Sequence, residues 1–182
     1  MRIQVDDTIA LRSWRPSDRQ GLATQANDRR VWVNLRDRFP HPYSLDDADR
    51  FIAAVGQMDP PRFLAVEVGG AVAGGVAYTL HDDVERVAAE VSYWLGTAFW
   101  GRGVGTKALR ALTRQTFAAH SYLRRLYAVP FCSNPASARV LEKAGYRREA
   151  VLRQSVIKDG IVLDQWVYAI LRNEVSPGSG GA

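Results

Sequence analysis

Three glycines at alternate positions, Gly101, Gly103 and Gly105, are the residues here whose type and spacing speak most directly of chemistry. A residue without a side chain lets the backbone turn through positive φ and lets a ligand approach closely. Successive N–H groups in such a turn can point inward and form a concave anion site. The helical stretch that follows, as far as about His120, adds unpaired N–H groups and a positive dipole end. Together they make a phosphate cradle. Spacing excludes two common cradles. The P-loop needs Gly-Lys-Ser/Thr, but Lys107 follows Thr106. The dinucleotide fingerprint needs a glycine three residues after Gly103, where Thr106 stands. The single cysteine, Cys132, has no adjacent histidine to activate it, and His41 lies in a loop between two prolines. No His, Cys and carboxylate cluster has metal-ligand spacing, so no metal is expected.

A cradle of this kind needs a strand before it and a helix after it. Val87 to Leu95 supplies the strand, with residues 87, 89, 91, 93 and 95 apolar or aromatic and Glu90, Ser92 and Trp94 on the other face. Upstream, Thr8 to Trp14 alternates as a strand. A helix starts at Arg15-Pro16-Ser17-Asp18, with Ser or Asp as cap, and runs to about Asn27. Asp28 to Tyr43 is irregular, with prolines flanking His41. A further helix follows Ser44, with acids in its first turn and an apolar face of Ala48, Phe51, Ile52 and Val55. Arg62 to Val68 and Ala71 to Leu80 form a hairpin about Gly69-Gly70. Downstream come a strand at Leu123 to Phe131 and a helix from Asn134, with Pro135 inside its start and Gly145 past its end. A last hairpin, Tyr146 to Ile157 and Ile161 to Leu171, turns through Lys158-Asp159-Gly160. Residues 1–175 are expected to form one domain and Ser176 to Ala182 a flexible tail. The fold class is α/β: a mixed, mostly antiparallel twisted sheet with helices on both faces. The strands on either side of the cradle helix are expected to be parallel neighbours joined by a right-handed crossover.

Trp100-Gly101-Arg102-Gly103-Val104-Gly105 resembles the pyrophosphate loop of the GNAT acyltransferases, commonly Gln/Arg-x-x-Gly-x-Gly/Ala. Trp100 departs from it, and the Trp-Gly-x-Gly form resembles the branch with the ribosomal-protein N-terminal acetyltransferases. Glu90 to Leu95 resembles the family's strand before the loop, and Asn134 to Tyr146 its second cofactor segment. The element order from about Thr8 to Arg172 resembles the whole GNAT fold. The resemblance implies transfer of an acetyl group from acetyl-CoA to an amine. It implies that backbone N–H groups from about Arg102 to Thr106 hold the pyrophosphate, with Gly101, Gly103, Val104 and Gly105 shaping the turn. Arg102 is either a phosphate partner or a solvated surface residue. The pantetheine arm is expected between the splayed strands, pairing with backbone around Trp94, Leu95 and Gly96, with the N–H near Leu95 polarising the thioester oxygen. Glu90 is a candidate general base; the alternatives are a charge on a wet face or an ion pair with Arg86. Ser137, in an Asn-x-x-Ser pattern, is a candidate acid for the departing thiolate, or else a first-turn serine bonded locally. Asn134 serves as helix cap, cofactor contact or both. Tyr93, Tyr127 and Tyr146 read as core aromatics. The segment from Val33 to Tyr43 and the turn from Lys158 to Ile161 are expected to border the acceptor.

The 182 residues carry a net charge of +5, which can draw in a polyanionic cofactor. The basic residues are scattered, so nucleic acid is not the expected partner. No run reaches the length of a membrane span and no signal pattern opens the chain, so no membrane partner and a cytoplasmic setting are expected. The expected partner is an amine acceptor, a protein N-terminus of ribosomal type or else a small amine such as an aminoglycoside or polyamine. A homodimer is compatible with the resemblance. Arginines 29, 30, 36 and 38 leave open an acidic acceptor or a larger acyl donor such as succinyl-CoA. A non-catalytic CoA-binding module is the alternative of another class.

Overall fold

The structure, a computed structural model, describes residues 1–175; the expected tail from Ser176 to Ala182 lies outside them. Eight strands form one sheet: β1 (Arg2–Gln4), β2 (Ile9–Ser13), β3 (Phe63–Val68), β4 (Ala71–Leu80), β5 (Ala88–Leu95), β6 (Arg125–Ala128), β7 (Arg147–Lys158) and β8 (Ile161–Leu171). Their order is β1-β2-β3-β4-β5-β6-β8-β7. Every neighbouring pair is antiparallel except β5 and β6, which are parallel. The helices are α1 (Arg19–Ala26), α2 (Arg29–Trp32), α3 (Leu45–Gly56), α4 (Val104–Ala119) and α5 (Pro135–Ala144).

Alternation along the strands feeds two separate cores. Leu64 and Val66 of β3 enter the core under α4 and α5, with Leu109, Leu112 and Leu141. Ala65 points the other way, into the core under α1 and α3, with Leu22, Ala23, Ile52 and Val55. The expected fold class, a sheet covered on both faces, is therefore observed. Ser44 caps α3, its hydroxyl accepting from the Asp47 N–H at 3.1 Å while the Asp47 carboxylate accepts from the Ser44 N–H at 2.8 Å. Such a cap is worth about 1 kcal/mol.

Four local expectations are corrected. β1 was not anticipated, because three residues are too few to show a period. Within the stretch expected to be irregular, α2 forms one turn, capped by Asp28 accepting from the Arg30 N–H. Asp18 is no cap for α1: its carboxylate is buried against Arg12 and accepts from the Arg15 N–H instead. The strand expected from Leu123 to Phe131 is shorter, Arg125–Ala128, with Phe131 left as an isolated bridge to Gln165. This last difference opens the site.

Candidate active site

β5 and β6 are paired only from Ala88 with Arg125 to Glu90 with Tyr127. β5 continues to Leu95, whereas the chain after β6 swings to β8, where the Gln165 amide donates to the Val129 carbonyl at 3.0 Å. The two strands therefore part beyond Glu90. The Gly96 N–H donates to Ala73, on the β4 side, at 2.8 Å. Strand alternation then sends the backbone N–H and C=O of Val91, Tyr93 and Leu95 the opposite way, into the gap. The Trp100 indole N–H donates to the Leu95 carbonyl at 2.8 Å. At a position where the family pattern has Gln or Arg, the tryptophan still supplies a planar N–H donor.

The glycine turn closes one end of this gap. Gly101 and Gly103 have φ of +72° and +75°, and a Cβ on either would meet nothing within 4 Å. Glycine is needed there for the backbone angle and for the space left above the turn. Gly103 is the N-cap of α4, and no side chain caps this helix among the described residues. The first-turn N–H groups of Val104, Gly105 and Thr106 are thus left to whatever enters the cleft. The cleft measures about 500 Å³. Trp94, Leu95, Gly101, Gly103, Val104, Gly105 and Thr106 line one side, and Asn134 and Ser137 of α5 the other. Arg36, Arg139 and Lys143 also line it, and no carboxylate does among the described residues. Arg36 is already paired with Glu90, and open backbone donors with the remaining two cations fit a phosphate-bearing polyanion.

Gly96, Arg102 and Glu90 do not line this cleft. Gly96 is buried, and a Cβ there would meet the Gln25 side chain. The Arg102 guanidinium leans over the Phe99 ring, 5.7 Å from its centroid. Glu90 sits where the strands begin to part, on the face opposite Tyr93, and accepts from Arg36 at 3.1 Å. Its ion-pair partner is Arg36, not the Arg86 considered from the sequence; the Arg86 guanidinium donates to the Asp83 carbonyl. Asn134 is the cap of α5, its side-chain oxygen accepting from the Ser137 N–H at 3.1 Å.

Tyr93 packs against the core as expected, but its hydroxyl reaches further than the sequence suggested. Its hydroxyl lies 2.7 Å from the Ser137 Oγ and 2.9 Å from the Ser137 carbonyl, and both residues line the cleft. Alternation placed Tyr93 on the inner face, but nothing local in sequence joins residues 93 and 137. By contrast Tyr146 is buried, its hydroxyl 2.8 Å from the Thr113 hydroxyl, and Tyr127 bonds His81 at 2.8 Å. Arg139 and Lys143 were also missed. Their i, i+4 spacing on the predicted helix was the available signal.

Beside the cleft, side chains from two loops form a second cluster. The Lys158 ammonium at the β7–β8 turn is bonded to Asp37 at 2.7 Å and lies 3.5 Å from the centroid of the Trp32 ring. Arg29 pairs with Asp159 of the same turn. Asp28 accepts from Thr97, just ahead of the glycine turn, at 3.0 Å, and Arg30 holds its carboxyl below the usual carboxylate range. The segment after α1 and the last hairpin therefore meet, as the two loops expected to border the acceptor must. Trp32 stacks on His41, whose Nδ1 is buried without a partner among the described residues. Burial, and then Asp164, push the Cys132 thiol up, which argues further against a nucleophile.

Away from the cleft, a depression of about 390 Å³ surrounds a buried ion cluster. Arg12 there donates to Asp18 at 2.7 and 2.8 Å and also pairs with Glu67. Its partners join β2, β3 and the turn before α1, and Arg2, 2.8 Å from Glu67, supplies the second cation that matches the two carboxylates.

A family model described as an acetyltransferase (GNAT) domain matches residues 8–147. The chain belongs to the GNAT acetyltransferase family. The uncharacterized N-acetyltransferase YoaA of Bacillus subtilis (strain 168) is 34% identical over 84 residues, 46% of this GNAT chain and 47% of that protein. This chain thus spans about half the length of that relative. YdaF of the same organism, provisionally named a ribosomal N-acetyltransferase, is 26% identical over 179 residues, 94% of this chain and 95% of its own. Among solved structures, the ribosomal L7/L12 alpha-N-protein acetyltransferase RimL in complex with coenzyme A superposes with a TM-score of 0.82 at 20% identity. That match covers 94% of this chain and 98% of RimL. The Microcin C7 self immunity acetyltransferase MccE, in complex with acetyl-CoA and AMP, gives 0.80 at 22%, covering 93% and 95%. At such identities the two structures speak for the fold. No described helix is long and apolar enough to cross a membrane.

Proposed function

We propose that this chain is an acetyl-CoA-dependent N-acetyltransferase acting on the N-terminal amine of a protein, of the ribosomal-protein type. The observation that carries the reading is the parting of β5 from β6 beyond Glu90. It sets unpaired strand backbone beside an uncapped helix start. Acetyl-CoA, when bound, supplies an activated acetyl thioester. The N–H groups from Gly103 to Thr106 bind its phosphates, with Arg139 and Lys143 adding charge. The gap-facing N–H and C=O groups of Tyr93 and the N–H of Leu95 hold its amide-bearing arm as a strand would, the Leu95 carbonyl being taken by Trp100. Glu90 takes a proton from the acceptor ammonium, which must be neutral to attack. Ser137 donates a hydrogen bond to the sulfur that leaves. Residues 1–175 serve as one catalytic domain in the cytoplasm.

Two observations favour a protein N-terminus over a cationic small molecule. No carboxylate among the described residues lines the cleft, and Glu90, which meets Arg36 of that lining, is already paired with it, so a polyamine or aminoglycoside would find no free acid there. Of the acids that could have built an acidic groove, Asp37 pairs with Lys158 and Asp47 is spent on the cap of α3. The full-length similarity to YdaF points the same way. The test is a panel of N-terminal peptides, polyamines and aminoglycosides with acetyl-CoA and succinyl-CoA as donors. Turnover is expected with peptides and acetyl-CoA. Faster turnover of the polyamines or aminoglycosides would move the acceptor to the small-molecule class. CoA binding without turnover of any amine would leave a binding module.

A further inference from the structure

We propose that Tyr93 is a positioning residue which holds the Ser137 hydroxyl so that its proton faces the cleft. The inference rests on the role given to Ser137 above. β5 carries Tyr93 on its inner face toward α5, and the phenol oxygen meets two atoms of one residue: Oγ at 2.7 Å and the carbonyl at 2.9 Å. Ser137 is the third residue of α5, and its N–H is already claimed by Asn134. A serine in a first helical turn ordinarily bonds back to nearby backbone. Here the hydroxyl partner is instead a phenol 44 residues away in sequence.

The proton count explains what the phenol adds. The pair has two hydroxyl protons, and the carbonyl can only accept. If the phenol donates to the carbonyl, the serine donates to the phenol and offers nothing to the cleft. If the phenol donates to Oγ, the serine proton is free to point outward. The two arrangements differ by rotation about single C–O bonds. The carbonyl loses no essential partner in the second, since it also accepts within the helix. Negative charge arising in the cleft selects the second arrangement. Burial pushes the Tyr93 phenol well above its ordinary range, so it stays a protonated donor. Two other tyrosines with buried rings end on groups outside the cleft lining: Tyr146 on Thr113 and Tyr168 on Glu142.

The test is a double-mutant cycle of Y93F, S137A and the double variant. It is read by kcat and KM with acetyl-CoA and the best peptide of the panel. CoA affinity by calorimetry, thermal melting and ¹H NMR of the free protein complete it. Y93F keeps the ring and should fold. It should lower kcat by about fivefold, the worth of one hydrogen bond, with CoA affinity unchanged. In the S137A background it should have no further effect. In the free wild-type protein a slowly exchanging phenol proton should be seen; Y93F should abolish it and S137A should shift it. If S137A lowers kcat but Y93F is silent, or its loss multiplies with that of S137A, Ser137 keeps its role and the proposal for Tyr93 is overturned alone. If S137A turns over like wild type, the role of Ser137 fails and takes this proposal with it.

Discussion

The cleft and the loop cluster beside it, the two walls of the proposed site, are made of different material. The cofactor wall is backbone: gap-facing groups of β5, a turn through Gly101 and Gly103, and an uncapped helix start. The proposed acceptor wall is side chain: Lys158 on Asp37, Arg29 on Asp159, Arg36 on Glu90 and Trp32 between His41 and Lys158, with Arg36 alone of these lining the cleft itself. Backbone donors point where local φ and ψ send them, so such a site tolerates much sequence change around it. An ion-paired wall depends on each partner, and a single substitution can reshape it. The first wall suits a part of the reaction that never changes, the second a part that varies between acceptors.

If the walls are this separable, variants in one should leave the other's readout untouched. The largest effect is expected from Glu90→Gln. Turnover should fall on the order of a hundredfold, as for loss of a general base, while CoA affinity holds. The deficit should shrink as pH rises toward the pKa of the acceptor amine, because free amine then forms unaided. A pH–rate profile parallel to wild type would sink the assignment.

Gly103→Val should come next, in the opposite wall. A β-branched residue at φ of +75° is strained and projects into the space above the turn. CoA affinity by calorimetry should drop by about tenfold or more, since a free turn that relaxes this strain, worth roughly 1–2 kcal/mol, must be strained again to bring its N–H groups back to the phosphates. The open surroundings of this Cβ mean that the fold should survive. Unchanged CoA affinity would disprove the placement of the phosphates.

Asp37→Asn should sharpen the contrast. It leaves the Lys158 ammonium, 1% exposed, without its carboxylate. The cost should be about 1–2 kcal/mol, below the roughly 3–5 of a fully buried pair, because Asp37 is itself 71% exposed. The acceptor KM should rise severalfold with CoA affinity constant. A change confined to CoA affinity would mean that this clamp belongs to the cofactor wall after all.

The smallest effect lies outside both walls. Hydrogen bonds from Arg12, and then from Arg2, hold the Glu67 carboxyl below its ordinary value of 4.5. A carboxylate with a depressed folded-state pKa stabilises fully above its unfolded value, and that stability is lost as pH falls through the folded one. Melting temperature should therefore decline below about pH 4.5, and Glu67→Gln should flatten that decline. An unaltered acid limb in the variant would remove Glu67 from the acid response.

The sequence by itself determined the glycine turn, the helix start behind it and the cap of α5, because alternating glycines before a helix, an Asn-Pro helix start and strand alternation are all local properties. It also determined the fold class and the parallel pair, through element order. Only the tertiary structure decided that β6 stops at Ala128 instead of Phe131, since pairing with β8 draws the chain away from β5. It also decided that Glu90 faces Arg36 and that Tyr93 meets Ser137. Those partners lie 54 and 44 residues apart in sequence. Each carries an ordinary local signal, an arginine in a loop or a tyrosine in a strand, which no spacing rule joins. What brings them together is the packing of α5 and the strap after α1 on opposite faces of one splayed strand. That contact is a property of the closed chain and of no segment within it.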